Sequence, residues 1–496
     1  MDTLRWLFGL QPRRVQPAKV DTDDVFPVHF FDDTKTYRSM IVTWTLRFND
    51  VLDPDVLHNA LDRLLETGDW RKLGGRLRLN ADGKLILHVP RTFTPERPGV
   101  HFSRQVFETT IGEHPLGRQL PKATGTSPSV QSDLNRFRHF TAREDAPKTV
   151  EDLIYSDEPQ LSVHVTSFTD ATLVTILWPH TMSDAMGCAA LIKAWGLMLA
   201  GREDDVPELQ GARKDVLDGV ADSDPDPQPF ILDVKKLKGF SMLRFGLNFL
   251  WELVFGPAMK SQMLYLPSAF VSQLGHDAVR DLKAISGNSD PPFISEGDVL
   301  SAWATRMIAT TRGQNRPLVI INAVDIRSRF PSVIQSTGTY IQNLAFATFT
   351  LFKAQEASDI TLGEAAFKFR TDILQQITEP QMKALMRQVH GAGPDASPSM
   401  YGEANSLLMV VSNWSKANFF KTIDFSPAVV KSFPVDGDSP RPGMIVYQHS
   451  NLMVTSPMAR NVFNILGKDL QGNYWVAGTF SQDWWAKLEE EVGKPF

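Results

Sequence analysis

A chain of 496 residues is long enough for two domains with separate cores. With 42% apolar and 22% charged residues it has the composition of a globular protein, which excludes disorder, and a formal net charge of −6 excludes the clustered basic footprint of a nucleic-acid binder. One cysteine, Cys188, excludes an internal disulfide and fits a reducing, cytoplasmic compartment.

Taken in chain order, the N-terminal M-D-T-L-R-W-L-F-G-L is cut by Arg5, leaving only Trp6 to Leu10 as an apolar run, too short for a secretory signal. D-P-D-V-L-H-N-A-L-D-R-L-L-E-T-G (53–68) predicts a helix capped by Asp53, with Pro54 in its first turn and an apolar stripe of Leu57, Leu61, Leu64 and Leu65. G-G-R-L-R-L-N-A-D-G-K-L-I-L-H-V-P (74–90) predicts a hairpin about Asp82-Gly83. Residues 91–150 give little to read. Residues 161–168 and 171–178 predict two strands about Thr169-Asp170, followed by a helix carrying Ala189, Ile192, Trp195 and Leu199. The acidic, proline-rich stretch 201–230 predicts a solvated crossover. In 239–257, Arg244 and Glu252 interrupt an apolar run, so it is too short to span a bilayer; burial between domains is expected over contact with a membrane surface. S-E-G-D (295–298) predicts a capped helix through Trp303 and Met307. Residues 317–324, 344–352, 406–414 and 444–450 predict strands. The mixture predicts an α/β fold of mixed α+β type, without βαβ rhythm. The expected division is an N-terminal domain 1–205, a crossover 206–262 and a C-terminal domain 263–496.

The spacing H-x-x-x-D occurs at His29–Asp33, His58–Asp62 and His180–Asp184. Spacing alone therefore decides nothing. His58 and Asp62 lie one turn apart on the predicted helix and read as a surface pair. His180 differs in context: it follows a buried strand and Pro179, and Ser183 or Asp184 can cap the next helix. A strand end that fixes an imidazole beside an open loop suits a general base, although a histidine that merely bonds backbone fits the same pattern. There is no G-x-S-x-G elbow, phosphate loop, H-E-x-x-H or paired cysteine, so neither a serine nucleophile nor a metal is expected. Cys188 falls within the apolar helix and reads as an inert thiol.

Several elements share their order with a known family. K-L-G-G-R-L (72–77), P-H-T-M-S-D (179–184), I-S-E-G-D-V-L-S-A-W (294–303), N-A-V-D-I-R-S-R (322–329) with Y-I-Q-N (340–343), and S-N-W (412–414) leading into I-D-F-S-P (423–427) resemble the BAHD acyl-CoA-dependent acyltransferases. The likeness is to their fungal branch, which includes enzymes similar to trichothecene acetyltransferases. The resemblance implies two chloramphenicol-acetyltransferase-like domains with a channel between them, entered by acyl-CoA at one mouth and by the acceptor at the other. It implies His180 as catalytic base and Asp184 turned away from the chemistry to pair with Arg327. It also implies Ser412 and Trp414 as oxyanion donors, with Asp325, Arg327 and Asp424 as structural support. D-F-S-P replaces the family's D-F-G-W-G, and Ala185 stands where many relatives have glycine. The expected activity is transfer of an acyl group, acetyl in the first instance, from acyl-CoA as co-substrate to a hydroxyl of an apolar natural product by a monomeric enzyme with no permanently bound cofactor. The alternatives are a carrier-dependent condensation, a cyclisation or isomerisation without CoA, and a catalytically silent binding protein.

Overall fold

The computed structural model describes residues 14–286, 290–311, 315–331, 333–335, 337–433 and 441–492. The N-terminal apolar run Trp6–Leu10 lies outside the described residues. The first half contributes β1 (Asp24–Pro27), β2 (Ile41–Phe48), β3 (Val51–Leu52), β4 (Arg76–Leu79), β5 (Leu85–Val89), β6 (His101–Val106), β7 (Ser129–Asp133), β8 (Ser162–Ser167) and β9 (Thr172–Pro179). The second contributes β10 (Met259–Leu266), β11 (Leu318–Asp325), β12 (Ala345–Phe352), β13 (Leu407–Asn413), β14 (Val429–Lys431), β15 (Ile445–Leu452), β16 (Val462–Lys468) and β17 (Tyr474–Ser481). The longer helices are α1 (Pro54–Glu66), α2 (Ala185–Leu199), α3 (Gly239–Phe255), α4 (Ser268–Ser286), α5 (Glu296–Thr311), α6 (Leu362–Gln376), α7 (Glu379–Ala392) and α8 (Gln482–Val492).

Two large sheets organise these elements. One runs β15-β2-β9-β8-β6 and the other β12-β11-β13-β16-β17-β10-β7. Each sheet takes an edge strand from the opposite half of the chain: β15 pairs antiparallel with β2, and β7 pairs antiparallel with β10. The halves are therefore joined by ladder hydrogen bonds as well as by side chains. β9 lies in the middle of its sheet and is buried along its whole length, which explains its unbroken apolar run. In β11 the burial alternates between cores: Leu318 and Ile320 face the one beneath α4, α5, α6 and α8, whereas Val319 faces the one that includes Tyr401 and Met386 of α7.

Local signals act as the sequence predicts. Asp53 accepts from the amides of Asp55 and Val56 at the start of α1. β4 and β5 form the expected hairpin, with Gly83 at φ +76°. Ser295 and Asp298 cap α5 reciprocally. Two expectations are corrected. The crossover is not simply solvated, because Leu217, Ala221 and Phe230 are buried in the core under Tyr401. Nor is 239–257 buried between domains: Phe245 is the one fully buried residue of α3, and most of its apolar residues face outward. Apolar periodicity requires a stripe, but not that the stripe be covered.

Candidate active site

His180 stands one residue beyond β9, where the last ladder positions pair Pro179 with Ile41. Its amide donates to the Met40 carbonyl, and its ring lies parallel to that of Tyr37, centroids 4.4 Å apart with 5° between planes. Asn343 Nδ2 donates to the His180 carbonyl at 2.8 Å and to Asp32 Oδ1 at 2.7 Å. Backbone and ring are thus clamped from two sides. Nδ1 is buried without a hydrogen-bond partner. Burial holds the imidazole below its ordinary pKa, outweighing upward pulls from its own backbone, Asp184 and Asn343. The imidazole is therefore held toward its neutral form.

Asp184 has a different task. It caps α2 by accepting from Gly187 N at 2.9 Å, accepts from Leu344 N at 2.9 Å, and forms a two-pronged pair with Arg327 at 2.9 and 3.1 Å. The guanidinium also donates to Asp325 Oδ1 at 2.7 Å, Tyr340 O at 2.8 Å and Gln342 O at 2.5 Å. Desolvation opposes the charge on Arg327, but the carboxylates of Asp184 and Asp325 overcome it and hold the group firmly protonated. The carboxylate fixes the loop and does not bond the imidazole.

Ser412 and Trp414 close β13 in the other large sheet and pair with each other, the indole N–H donating to Ser412 Oγ at 2.8 Å. Trp414 also packs on Trp44 of β2, centroids 5.1 Å apart, so it bridges the two sheets. Since the indole proton is committed, the Ser412 hydroxyl proton is the one left to donate elsewhere. Asp424 stands apart and exposed, capping a turn through Ser426 N at 2.9 Å. The other two H-x-x-x-D pairs separate cleanly. His58–Asp62 is a partly exposed pair at 3.3 Å, whereas Asp33 bonds Arg38 at 2.6 Å and His29 lies 3.8 Å from Asp32 and from Asp215.

The chain is 38% identical over 480 residues to the acetyltransferase pyiB of Pyricularia grisea, covering 96% of this chain and 95% of the relative. It is 37% identical over 487 residues to the O-acetyltransferase PaAT-2 of Phomopsis amygdali, covering 96% and 99%. The chain belongs to the fungal BAHD acyltransferases. No family model matches it. The structure of F. sporotrichioides TRI101 complexed with coenzyme A and T-2 superposes with a TM-score of 0.65 at 16% identity, covering 95% of this chain and 97% of that one. That likeness establishes the two-domain BAHD fold.

Within this BAHD chain, both departures from the family pattern have a local account. Gly443, at φ +81°, approaches the D-F-S-P turn so closely that a Cβ there would lie 2.2 Å from Ser426 N; Phe425 N bonds the Gly443 carbonyl at 2.8 Å. The positive φ at this turn falls on Gly443, which faces it, and on no residue of D-F-S-P itself. The close approach after Asp184 occurs at Gly187 rather than Ala185: a Cβ on Gly187 would lie 1.9 Å from the Ile341 carbonyl oxygen. Tyr37 and Asp32 escape a motif reading. Asn343 carries a signal, as the last residue of Y-I-Q-N.

Proposed function

We propose that this protein transfers an acyl group, acetyl in the first instance, from acyl-CoA to a hydroxyl of a small apolar specialised metabolite, with His180 as general base. The observation that carries the reading is the imidazole of His180 at the end of β9, stacked on Tyr37 with Nδ1 buried and unpartnered. Support comes from the named activities of the two curated relatives and from the coenzyme A and T-2 bound by TRI101.

In this mechanism Nε2 takes the acceptor hydroxyl proton as the oxygen attacks the thioester carbonyl carbon. The Ser412 hydroxyl, itself polarised by the Trp414 indole N–H, donates to the oxyanion. Collapse of the tetrahedral species breaks the carbon–sulfur bond, and the imidazolium returns its proton to the departing sulfur. Asp184 and Arg327 hold the loop. The enzyme is proposed to act as a cytoplasmic monomer, with domains 1–205 and 263–496 joined by the crossover 206–262.

The test is thiol release and product mass with acetyl-CoA and a panel of apolar alcohols, comparing the native protein with His180→Ala. The expected loss is about 10²–10⁴-fold in kcat with an unchanged melting point. Full transfer activity in His180→Ala would refute the mechanism, and turnover without added acyl mass would refute the reaction class.

A further inference from the structure

Helix α3 breaks the usual rule of burial. An amphipathic helix turns its apolar stripe to the core and its polar face to water. The inner side of α3 is fixed: Phe245 packs with Leu237 and Met400, Asn248 Nδ2 donates to Ala404 O at 2.9 Å, and Glu252 pairs with Arg316. Its outer side carries Phe240, Leu243, Leu247, Leu250, Trp251 and Val254, each more than half exposed. These positions recur every three to four residues, so they form one continuous stripe over four turns. Single exposed apolar residues are ordinary, but a contiguous stripe with Phe240 at its start and Trp251 in its last turn marks a contact surface.

Charge identifies the contact. Between Val234 and Lys260 there are five basic residues, Lys235, Lys236, Lys238, Arg244 and Lys260, and one acidic residue, Glu252. Lys235, Lys238, Arg244 and Lys260 are exposed, while Glu252 is already paired inward with Arg316. In a chain of net charge −6 this strip is locally positive. A second copy of the chain meeting the same strip would bring mostly like charge against like, since the carboxylates beside it, Asp233 and Glu252, are already bonded to Gln388 and Arg316. An anionic lipid surface satisfies both features: acyl chains accept the apolar stripe and headgroups accept the flanking cations. Among the described residues no helix is long and apolar enough to cross a membrane, so the contact lies in the plane of the interface.

We propose that α3 is a monotopic anchor that seats this protein on an anionic membrane surface. The partner is the headgroup and upper acyl layer of an acidic phospholipid leaflet. Docking there brings the protein to the phase where an apolar acceptor concentrates.

The experiment is co-sedimentation of the full chain with phosphatidylcholine vesicles, with and without phosphatidylserine. Native protein is expected to partition onto the anionic vesicles and to be released as salt rises. The double variant Leu247→Glu/Trp251→Glu should lose at least tenfold in partitioning with its melting point unchanged, because both side chains face outward. Lys235→Glu/Lys238→Glu should weaken anionic selectivity by roughly fivefold for each basic residue removed, and it keeps the proposal testable should the apolar variant not fold. Absence of partitioning onto phosphatidylserine vesicles would overturn the proposal. So would a concentration-dependent dimer, seen by light scattering and abolished by Leu247→Glu/Trp251→Glu, which would assign the stripe to self-association.

Discussion

Replacing Asp184 by alanine tests whether the second half of the H-x-x-x-D pair serves the chemistry or the fold. Four hydrogen bonds converge on this carboxylate: two from Arg327, one from Gly187 N and one from Leu344 N. Removing it leaves a buried guanidinium with Asp325 as its remaining carboxylate and strips the cap from α2. Breaking one partner of a buried pair costs about 3–5 kcal/mol, and a lost cap alone costs ~1 kcal/mol within that sum. At roughly 2 cal/mol/K per residue, the unfolding entropy of the whole chain converts ~1 kcal/mol into about 1 °C, or about 2 °C if each half melts independently. The expected fall in melting temperature is therefore about 3–10 °C. Turnover normalised to folded protein should fall less than in His180→Ala. Differential scanning fluorimetry beside a coupled thiol-release assay measures both. An Asp184→Ala protein that melts with the native one yet loses as much kcat as His180→Ala would refute the positioning argument and make Asp184 a participant in proton transfer.

Ser412→Ala should reduce kcat by about 10²–10³-fold with little change in KM for acyl-CoA, and Trp414→Phe by less, because the indole only polarises the serine; an equal or larger loss in Trp414→Phe in steady-state assays would refute that assignment. Gly187→Ala should destabilise by at least ~1–3 kcal/mol, since the new methyl meets the Ile341 carbonyl, whereas Ala185→Gly should cost no more than about 1 kcal/mol; comparison of the two melting curves decides it. Acid should weaken the fold. Burial lowers His29 to about 3 and His164 and His449 to about 4 from 6.5, so between pH 6.5 and about 4 the unfolded chain binds protons that the folded chain does not. Asp32, pushed up to about 7 by burial, acts in the opposite sense over the same window and cancels one of the three. His180, also lowered by burial, acts on the same side, so the net effect is a loss of stability as pH falls through this window, and a melting temperature that rises from pH 6.5 to 5 would contradict it.

Local signals in this sequence are legible because they depend on a few neighbouring residues. The Asp53 cap, the Asp82-Gly83 hairpin, the Ser295–Asp298 box and the strand running into His180 all follow from neighbours within one or two turns. The distinction among three H-x-x-x-D pairs also came from local context, since only His180 terminates a buried strand. What the sequence withholds is contact across distance. Asn343 reaches back to His180 over 163 positions and to Asp32 over 311, and no periodicity encodes either bond. Tyr37 sits in a four-residue helix among polar neighbours, where a lone aromatic carries no pattern. The same limit explains the misreading of 239–257. Its apolar run is visible in the sequence, but whether another element covers it is decided by topology.

The placement of Arg327 bears on how activity and stability are coupled. Arg327 follows β11 of the seven-stranded sheet, whereas Asp184 follows β9 of the five-stranded one. Their pair therefore ties the loop of the candidate base to the opposite half of the molecule, and Trp414 on Trp44 adds a second tie. The exchanged strands β7 and β15 make these contacts hard to break one at a time, since separating the halves would expose two ladder edges. A substitution at this seam shifts the docking of the halves and the aim of His180 together. Loss of activity in such a variant is thus evidence about catalysis only when the melting point is measured beside it, and His180→Ala, which removes an imidazole without touching the seam's ion pair, is the cleaner probe of the chemistry.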